Sequence, residues 1–77
     1  MKNSTKFAKE VERFHEIHDD NWDEQVKVGV PLYERLKKAE ETDLARQVKE
    51  ALQYLSRVIG QSGHRNQALI DRIEAGI

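Results

Sequence analysis

The strongest structural signal in this chain of 77 residues is a broad apolar stripe between residues 42 and 60. The apolar residues that define it are separated by four, three, four and three positions: Leu44, Val48, Ala51, Leu55 and Val58. Three more apolar residues widen it: Ala45, Leu52 and Ile59. Residues at this spacing lie on one side of an α-helix, because the helix has 3.6 residues per turn. Because the stripe is wider than a coiled-coil seam, it predicts a helix that packs against more than one neighbour.

Helical spacing also marks the first third of the chain. Asn3 or Ser4 is placed to cap a first helix that runs to about Asp19. Its apolar residues follow each other at four, three and three positions: Phe7, Val11, Phe14 and Ile17. The single proline, Pro31, disfavours helical geometry at the residue before it and suits the first turn of a helix. We therefore expect a break at residues 28–30 and a new helix that starts at Pro31.

Turn and cap residues predict the ends of the remaining helices. Thr42 is placed to cap the helix that carries the long stripe, with Asp43 in its first turn. Gly60 is expected to end that helix in the left-handed conformation that favours glycine. Ser62 is then placed to cap a last helix, whose apolar residues are Leu69, Ile70, Ile73 and Ile77.

These elements predict an all-α fold. No stretch shows the alternation typical of a strand, and no repeat is found, so we expect a single domain over residues 1–77. Four to five helices would form a small bundle around an antiparallel helical hairpin at about residues 31–60. A domain of this size buries only about 60% of its unfolded surface, which favours a homo-oligomer, by default a homodimer. Pairing would cover three apolar residues outside the regular stripe, Phe7, Trp22 and Ile77.

Composition excludes several classes of protein. The chain has no cysteine, so disulfides and thiolate zinc sites are excluded. With 35% charged residues, a net charge of -1 and no apolar run near ~20 residues, we expect a cytoplasmic protein without a membrane segment. Balanced charge gives no general argument for nucleic acid. No cysteine nucleophile or recognisable catalytic serine is present, so we expect neither an enzyme nor a bound cofactor.

The most polarised segment covers residues 10–24, with seven acidic residues and one arginine. Glu12 and His15 form a single Glu-x-x-His step, but metal sites in helical bundles use that step from two helices, so no metal site is expected. An acidic surface carrying an aromatic residue suits a partner protein with a basic patch. The predicted partner-binding residues are Asp19, Asp20, Trp22, Asp23, Glu24 and Tyr54.

A second candidate site lies where the last helix is expected to start. Free backbone N–H groups at such a position attract anions, and glycine lets a ligand approach the backbone. A small anionic or phosphorylated ligand would bind residues 62–66 there, namely Ser62, Gly63, His64, Arg65 and Asn66. The same residue types are also typical of an ordinary turn between two helices.

The last helix gives a third alternative. The residues from Leu69 to Gly76 resemble the end of a recognition helix in the lambda-repressor class of helix-turn-helix domains. The resemblance implies DNA binding through Arg65 and Arg72, although the polar connection at residues 60–63 is longer than that class allows. The function that the sequence favours remains non-catalytic: a regulator, inhibitor or accessory factor that binds another protein.

Overall fold

A computed structural model describes residues 4–63 and 66–77 of the chain. It contains four α-helices: α1 (Ser4–Glu16), α2 (Trp22–Lys38), α3 (Thr42–Gln61) and α4 (Gln67–Gly76). No strand occurs in these two ranges, so the predicted all-helical fold is confirmed. The first helix ends at Glu16, three residues before the predicted end. None of the helices that the structure describes is both long and apolar enough to cross a membrane.

All four helices contribute to one apolar core. Helix α2 packs against α3, α4 packs against both of them, and α1 covers the other side of the same pair. Seven side chains have less than 2% of their surface exposed: Val26, Leu32, Leu36, Val48, Leu52, Ile59 and Ile73. Among the described residues, no polar or charged residue is buried as a whole. The stability of this core therefore comes from removing apolar surface from water.

The predicted break at residues 28–30 is wrong, because α2 continues through Pro31. A proline inside a helix costs ~3 kcal/mol or more, since it removes one backbone hydrogen bond and crowds the preceding turn. The buried face of α2 crosses this position without interruption, from Val26 to Leu32 and Leu36. Full burial of each of these side chains contributes about 1.5–3 kcal/mol. Their combined burial outweighs the local cost of the proline.

A glycine on the inner face of α2 allows three helices to approach each other. A β-carbon at Gly29 would lie 2.7 Å from Cε1 of Phe14 in α1 and 2.9 Å from Cδ2 of Leu52 in α3. Such distances are shorter than van der Waals contact. Glycine at this position therefore serves close packing, although it has a low helix propensity.

The left-handed residue that ends a helix is not Gly60. Gly60 lies inside α3, and no glycine in the described part of the chain has a positive φ. The residue with positive φ is Glu40, at 59°, just after α2. The Glu40 N–H donates to the Lys37 carbonyl at 3.0 Å, and the Glu41 N–H donates to the Leu36 carbonyl at 2.9 Å. These two bonds form a Schellman motif, which satisfies carbonyl groups at the end of α2.

The caps at two helix starts also differ from the prediction. Ser62 does not cap the last helix: it follows α3, and its N–H donates to the Ile59 carbonyl at 3.2 Å. The cap of α4 is Asn66, whose side-chain oxygen accepts from the Leu69 N–H at 3.3 Å. Thr42 is the first residue of α3 rather than its cap. Asparagine and serine are both good caps, so residue type alone does not choose between them.

Candidate partner-binding groove

A groove of about 310 Å³ lies where α1, α2 and α3 meet. We call it the aromatic groove, because one large aromatic side chain from each helix lines it: Phe14, Trp22 and Tyr54. Its other lining residues are His15, Asp19, Gln25, Ala51, Leu55 and Val58. The groove therefore combines an apolar wall on α3 with polar side chains on α1, α2 and the segment between them.

The segment between α1 and α2 sets one side of the aromatic groove. Its turn is held by the Asp20 N–H, which donates to Nδ1 of His18 at 3.1 Å. Asn21 then caps α2, because its side-chain oxygen accepts from the Glu24 N–H at 3.3 Å. This cap makes Trp22 the first residue of α2, three positions after Asp19 in the sequence.

The three aromatic side chains differ in depth. Phe14 is almost completely buried, Trp22 is half-buried, and Tyr54 has 67% of its surface exposed. Tyr54 is the exposed large hydrophobic residue among those that the structure describes. Tyrosine is favoured at binding surfaces because its ring offers a large apolar area and its hydroxyl a polar end. Phe14 therefore forms the floor of the groove, and Tyr54 forms its rim.

The structure brings part of the predicted partner-binding set together. Asp19, Trp22 and Tyr54 line the aromatic groove, although Tyr54 is more than 30 positions from the other two. Asp20 and Asp23 are exposed and Glu24 is half-buried, and these three acids do not line it. They belong to the surrounding surface.

The lining carries a carboxylate and no lysine or arginine. From Glu16 to Glu24 the chain holds five acidic residues and no lysine or arginine either. The groove entrance on the side of α1 and α2 is consequently acidic. Acidic surfaces attract basic partners and accelerate their association more than they add to affinity.

Sequence reasoning missed three polar or aromatic residues of the groove. The sequence pattern assigns Phe14 to the core, it indicates a Glu-x-x-His step or an interfacial, pH-sensitive contact for His15, and it does not single out Gln25. Gln25 lies three residues after Trp22, which places both on the same face of a helix. Gln25 lines the groove, and its Oε1 atom is buried without a hydrogen-bond partner among the described residues.

The predicted anion site at residues 62–66 stays a prediction. Its two cation candidates, His64 and Arg65, lie outside the described residues. Ser62 is half-buried and Gly63 is exposed. The side-chain oxygen of Asn66 is already used to cap α4. The residues described here therefore do not form a site by themselves.

The predicted DNA-binding helix corresponds to α4. Its buried residues are Leu69, Ile70 and Ile73, while Arg72 lies on the exposed side. The exposed side also carries Asp71, whose Oδ1 accepts from Nε2 of Gln67 at 2.8 Å. The second predicted DNA contact, Arg65, lies outside the described ranges. DNA binding through α4 also stays a prediction.

The described part of the chain also forms grooves at other places on its surface. One of about 530 Å³ lies at the turn between α2 and α3, where Lys37 Nζ is 5.3 Å from the centre of the Tyr33 ring. Another, of about 540 Å³, lies between α3 and α4. Within residues 4–63 and 66–77, no three histidine, aspartate or glutamate side chains are grouped to hold a metal ion.

Comparison with known proteins gave no match to a family model, to a curated protein or to a solved structure.

Proposed function

We propose that this chain is a non-catalytic helical binding protein that uses the aromatic groove to bind another protein, as a regulator, inhibitor or accessory factor. One observation carries the proposal: Asp19, Trp22 and Tyr54 line the same groove although Tyr54 is more than 30 positions from the other two in the sequence. Tryptophan and tyrosine are the residue types that most often dominate the energy of protein interfaces.

The size of the groove favours a side chain of a partner protein over a free small molecule. Sites for drug-sized ligands have volumes of ~300–1,000 Å³ and enclose most of the ligand. At about 310 Å³ the aromatic groove lies at the lower limit of that range. With Tyr54 standing 67% exposed at its rim, the surface offers contact area outside the groove as well.

The charge around the groove selects the kind of partner. The acidic residues between α1 and α2 would meet a basic patch, and exposed acids such as Asp20 and Asp23 would add to its attraction. Because these two side chains do not line the groove, they would contribute to the association rate more than to the lifetime of the complex.

Self-association through a different face is part of the proposal. In a two-fold symmetric pair built on the aromatic groove, each acidic segment would face its own copy, which like-charge repulsion disfavours. The groove between α3 and α4 carries both signs, with Lys49 and Arg57 on one side and Glu74 on the other. We assign a homo-oligomer to that groove, and we propose that each chain's bundle is arranged around the antiparallel hairpin expected at about residues 31–60. Light scattering, which measures the mass of the protein in solution, tests whether the chain forms this homo-oligomer.

The apolar residues that the sequence predicted to be covered by pairing already have partners in their own chain. Phe7, Trp22 and Ile77, which the sequence suggested would be covered by pairing, are partly buried and pack against the core. Their burial within the chain is therefore no argument for a dimer, which depends instead on the small size of the core.

Protein capture with matched variants tests the binding function. The immobilised chain is exposed to a cell lysate as wild type, as Tyr54→Ala and as Gln47→Ala. Gln47 is an exposed residue of α3 that lines neither the aromatic groove nor the groove between α3 and α4. We expect a protein that wild type and Gln47→Ala retain and that Tyr54→Ala loses. Equal retention by all three, or no retained protein, would contradict the proposal, provided that circular dichroism shows equal helicity.

A further inference from the structure

The lining of the aromatic groove combines features that suit one particular side chain. It has three aromatic rings, a carboxylate on Asp19 and a buried amide oxygen on Gln25 without a hydrogen-bond partner among the described residues. We propose that the groove binds the guanidinium group of an arginine side chain that a partner protein presents. This inference rests on the proposed function and names the chemistry that the groove recognises.

The aromatic side chains favour a cation with a flat shape. A cation within ~6 Å of the centre of an aromatic ring is attracted by the negative face of the ring, most strongly for tryptophan. Arginine adds stacking of its planar group on the ring, which lysine cannot do. Trp22 is half-buried and Tyr54 is exposed, so both offer ring surface to a group that enters from solvent.

The polar groups in the groove match the donors of arginine. A guanidinium group has five N–H donors and no acceptor, and it pairs with a carboxylate through two parallel hydrogen bonds. Asp19 supplies the carboxylate at the exposed end of the groove. Gln25 lines the same groove, and its side-chain oxygen, which has no hydrogen-bond partner among the described residues, would supply a further acceptor. Each charged or unmet acceptor in the lining would then receive a donor.

Among the described residues, no lysine or arginine lines the groove. His15 is the basic side chain in its lining. Arg57, the arginine closest in sequence to Tyr54, lines the groove between α3 and α4 instead. The negative charge around Asp19 is therefore left for a partner to balance.

The alternative occupants fit the lining less well. An aliphatic side chain would cover Asp19 and Gln25 without donating to them, which leaves their acceptor atoms buried without a donor and weakens binding. A second copy of this chain would bring two acidic segments together. Neither alternative predicts that the groove binds an arginine peptide more tightly than the uncharged analogue of that peptide.

Trp22 is the only tryptophan of the chain, so its fluorescence and its indole N–H signal report on the groove without a label. The full chain is titrated with the peptide acetyl-Gly-Arg-Gly-amide and with the same peptide carrying citrulline, the uncharged analogue of arginine. We expect a saturable change for the arginine peptide and binding weaker by at least about fivefold for citrulline. Equal binding of both peptides, or no saturation with either, would overturn the proposal.

Two variants locate the binding to the groove. Asp19→Asn removes the carboxylate that lines it, and we expect the arginine peptide to bind at least about fivefold more weakly. Asp20→Asn is the matched control: it removes the neighbouring exposed carboxylate, and we expect a change of less than about twofold. Equal weakening by both would show that general acidic charge attracts the peptide, which would overturn the site.

The two proposals fail in different ways. If Tyr54→Ala abolishes protein capture while arginine and citrulline peptides bind equally, the binding function stands and the arginine site is wrong. If the arginine peptide binds selectively but no protein is retained through Tyr54, the arginine site stands and the protein-binding function is wrong.

Discussion

Gly29 lies directly against the ring of Phe14: a β-carbon on the glycine would be 2.7 Å from Cε1 of the phenylalanine. Phe14 is buried in the core and also forms the floor of the aromatic groove. The position of this ring therefore depends on the absence of a side chain on α2. Packing between α1 and α2 and the shape of the groove are set by the same contact.

Gly29→Ala is expected to destabilise the protein, although alanine is the better helix former. The added methyl group would displace Phe14 and the end of Leu52, both in the packed core. Overpacking of this kind costs about 1–3 kcal/mol, more than the ~1 kcal/mol gained in helix propensity. Urea unfolding followed by circular dichroism measures the difference.

Gly60→Ala is the matched control within a helix. A β-carbon there would lie 3.9 Å from Cδ1 of Ile70, an ordinary contact distance. We expect an increase in unfolding free energy of up to ~1 kcal/mol. If both alanine variants stabilised the chain, the close approach at Gly29 would be wrong; if both destabilised it, Gly60 would have to lie outside a regular helix.

Glu40→Gly is expected to raise the unfolding free energy by about 1 kcal/mol. Glu40 has a φ of 59°, where a residue with a β-carbon is strained and glycine is not. Lys38→Gly, at the last residue of α2, is the control and should lower stability by roughly 0.5–1 kcal/mol. Thermal unfolding of both variants distinguishes them, and a destabilised Glu40→Gly would argue against the Schellman motif.

The ion pair between Glu10 and Arg35 links α1 to α2. Nη2 of Arg35 donates to Oε1 of Glu10 at 2.6 Å, with the side chains 53% and 22% exposed. Because Arg35 is half-exposed, solvent screening limits the coupling to about 0.2–1 kcal/mol. A double-mutant cycle with Glu10→Gln and Arg35→Gln should give this coupling at low salt and less of it at high salt. If no coupling is measured at low salt, the ion pair does not stabilise the packing of α1 against α2.

Asn66→Ala is expected to lower the unfolding free energy by about 1 kcal/mol, because the Leu69 N–H would lose its cap. Asn66→Ser should keep most of the stability, since serine is also a good cap. Chemical unfolding of the two variants tests this. Equal stability of wild type and Asn66→Ala would indicate that Asn66 is available for another role, as the predicted anion site requires.

The helical fold is predictable from the sequence because its apolar spacing is regular, above all in α3. The errors occur at glycine and proline, where a local rule competes with packing. Pro31 disfavours helix locally, yet α2 continues because its buried face lies on both sides of the proline. Gly60 is a good helix end by residue type, yet it lies inside α3. The left-handed conformation is found instead at Glu40, just after α2. Neither outcome is visible without the neighbouring helices.

The aromatic groove is predictable only in part, for a similar reason. Asp19 and Trp22 stand out because they are close in sequence within an acidic segment. Tyr54 stands out because it lies beside the apolar stripe of its helix. That the three side chains share one groove with Gln25 follows from the packing of α3 across α1 and α2, which the sequence pattern does not specify.

The most direct test of the account is a map of the surface that a captured partner covers. Amide and indole NMR signals of the labelled chain are recorded before and after addition of the purified partner protein. We expect the largest changes at the Trp22 indole N–H, at Gln25 and along residues 51–58. Changes confined to residues 62–66 and α4, with the Trp22 signal unmoved, would contradict it.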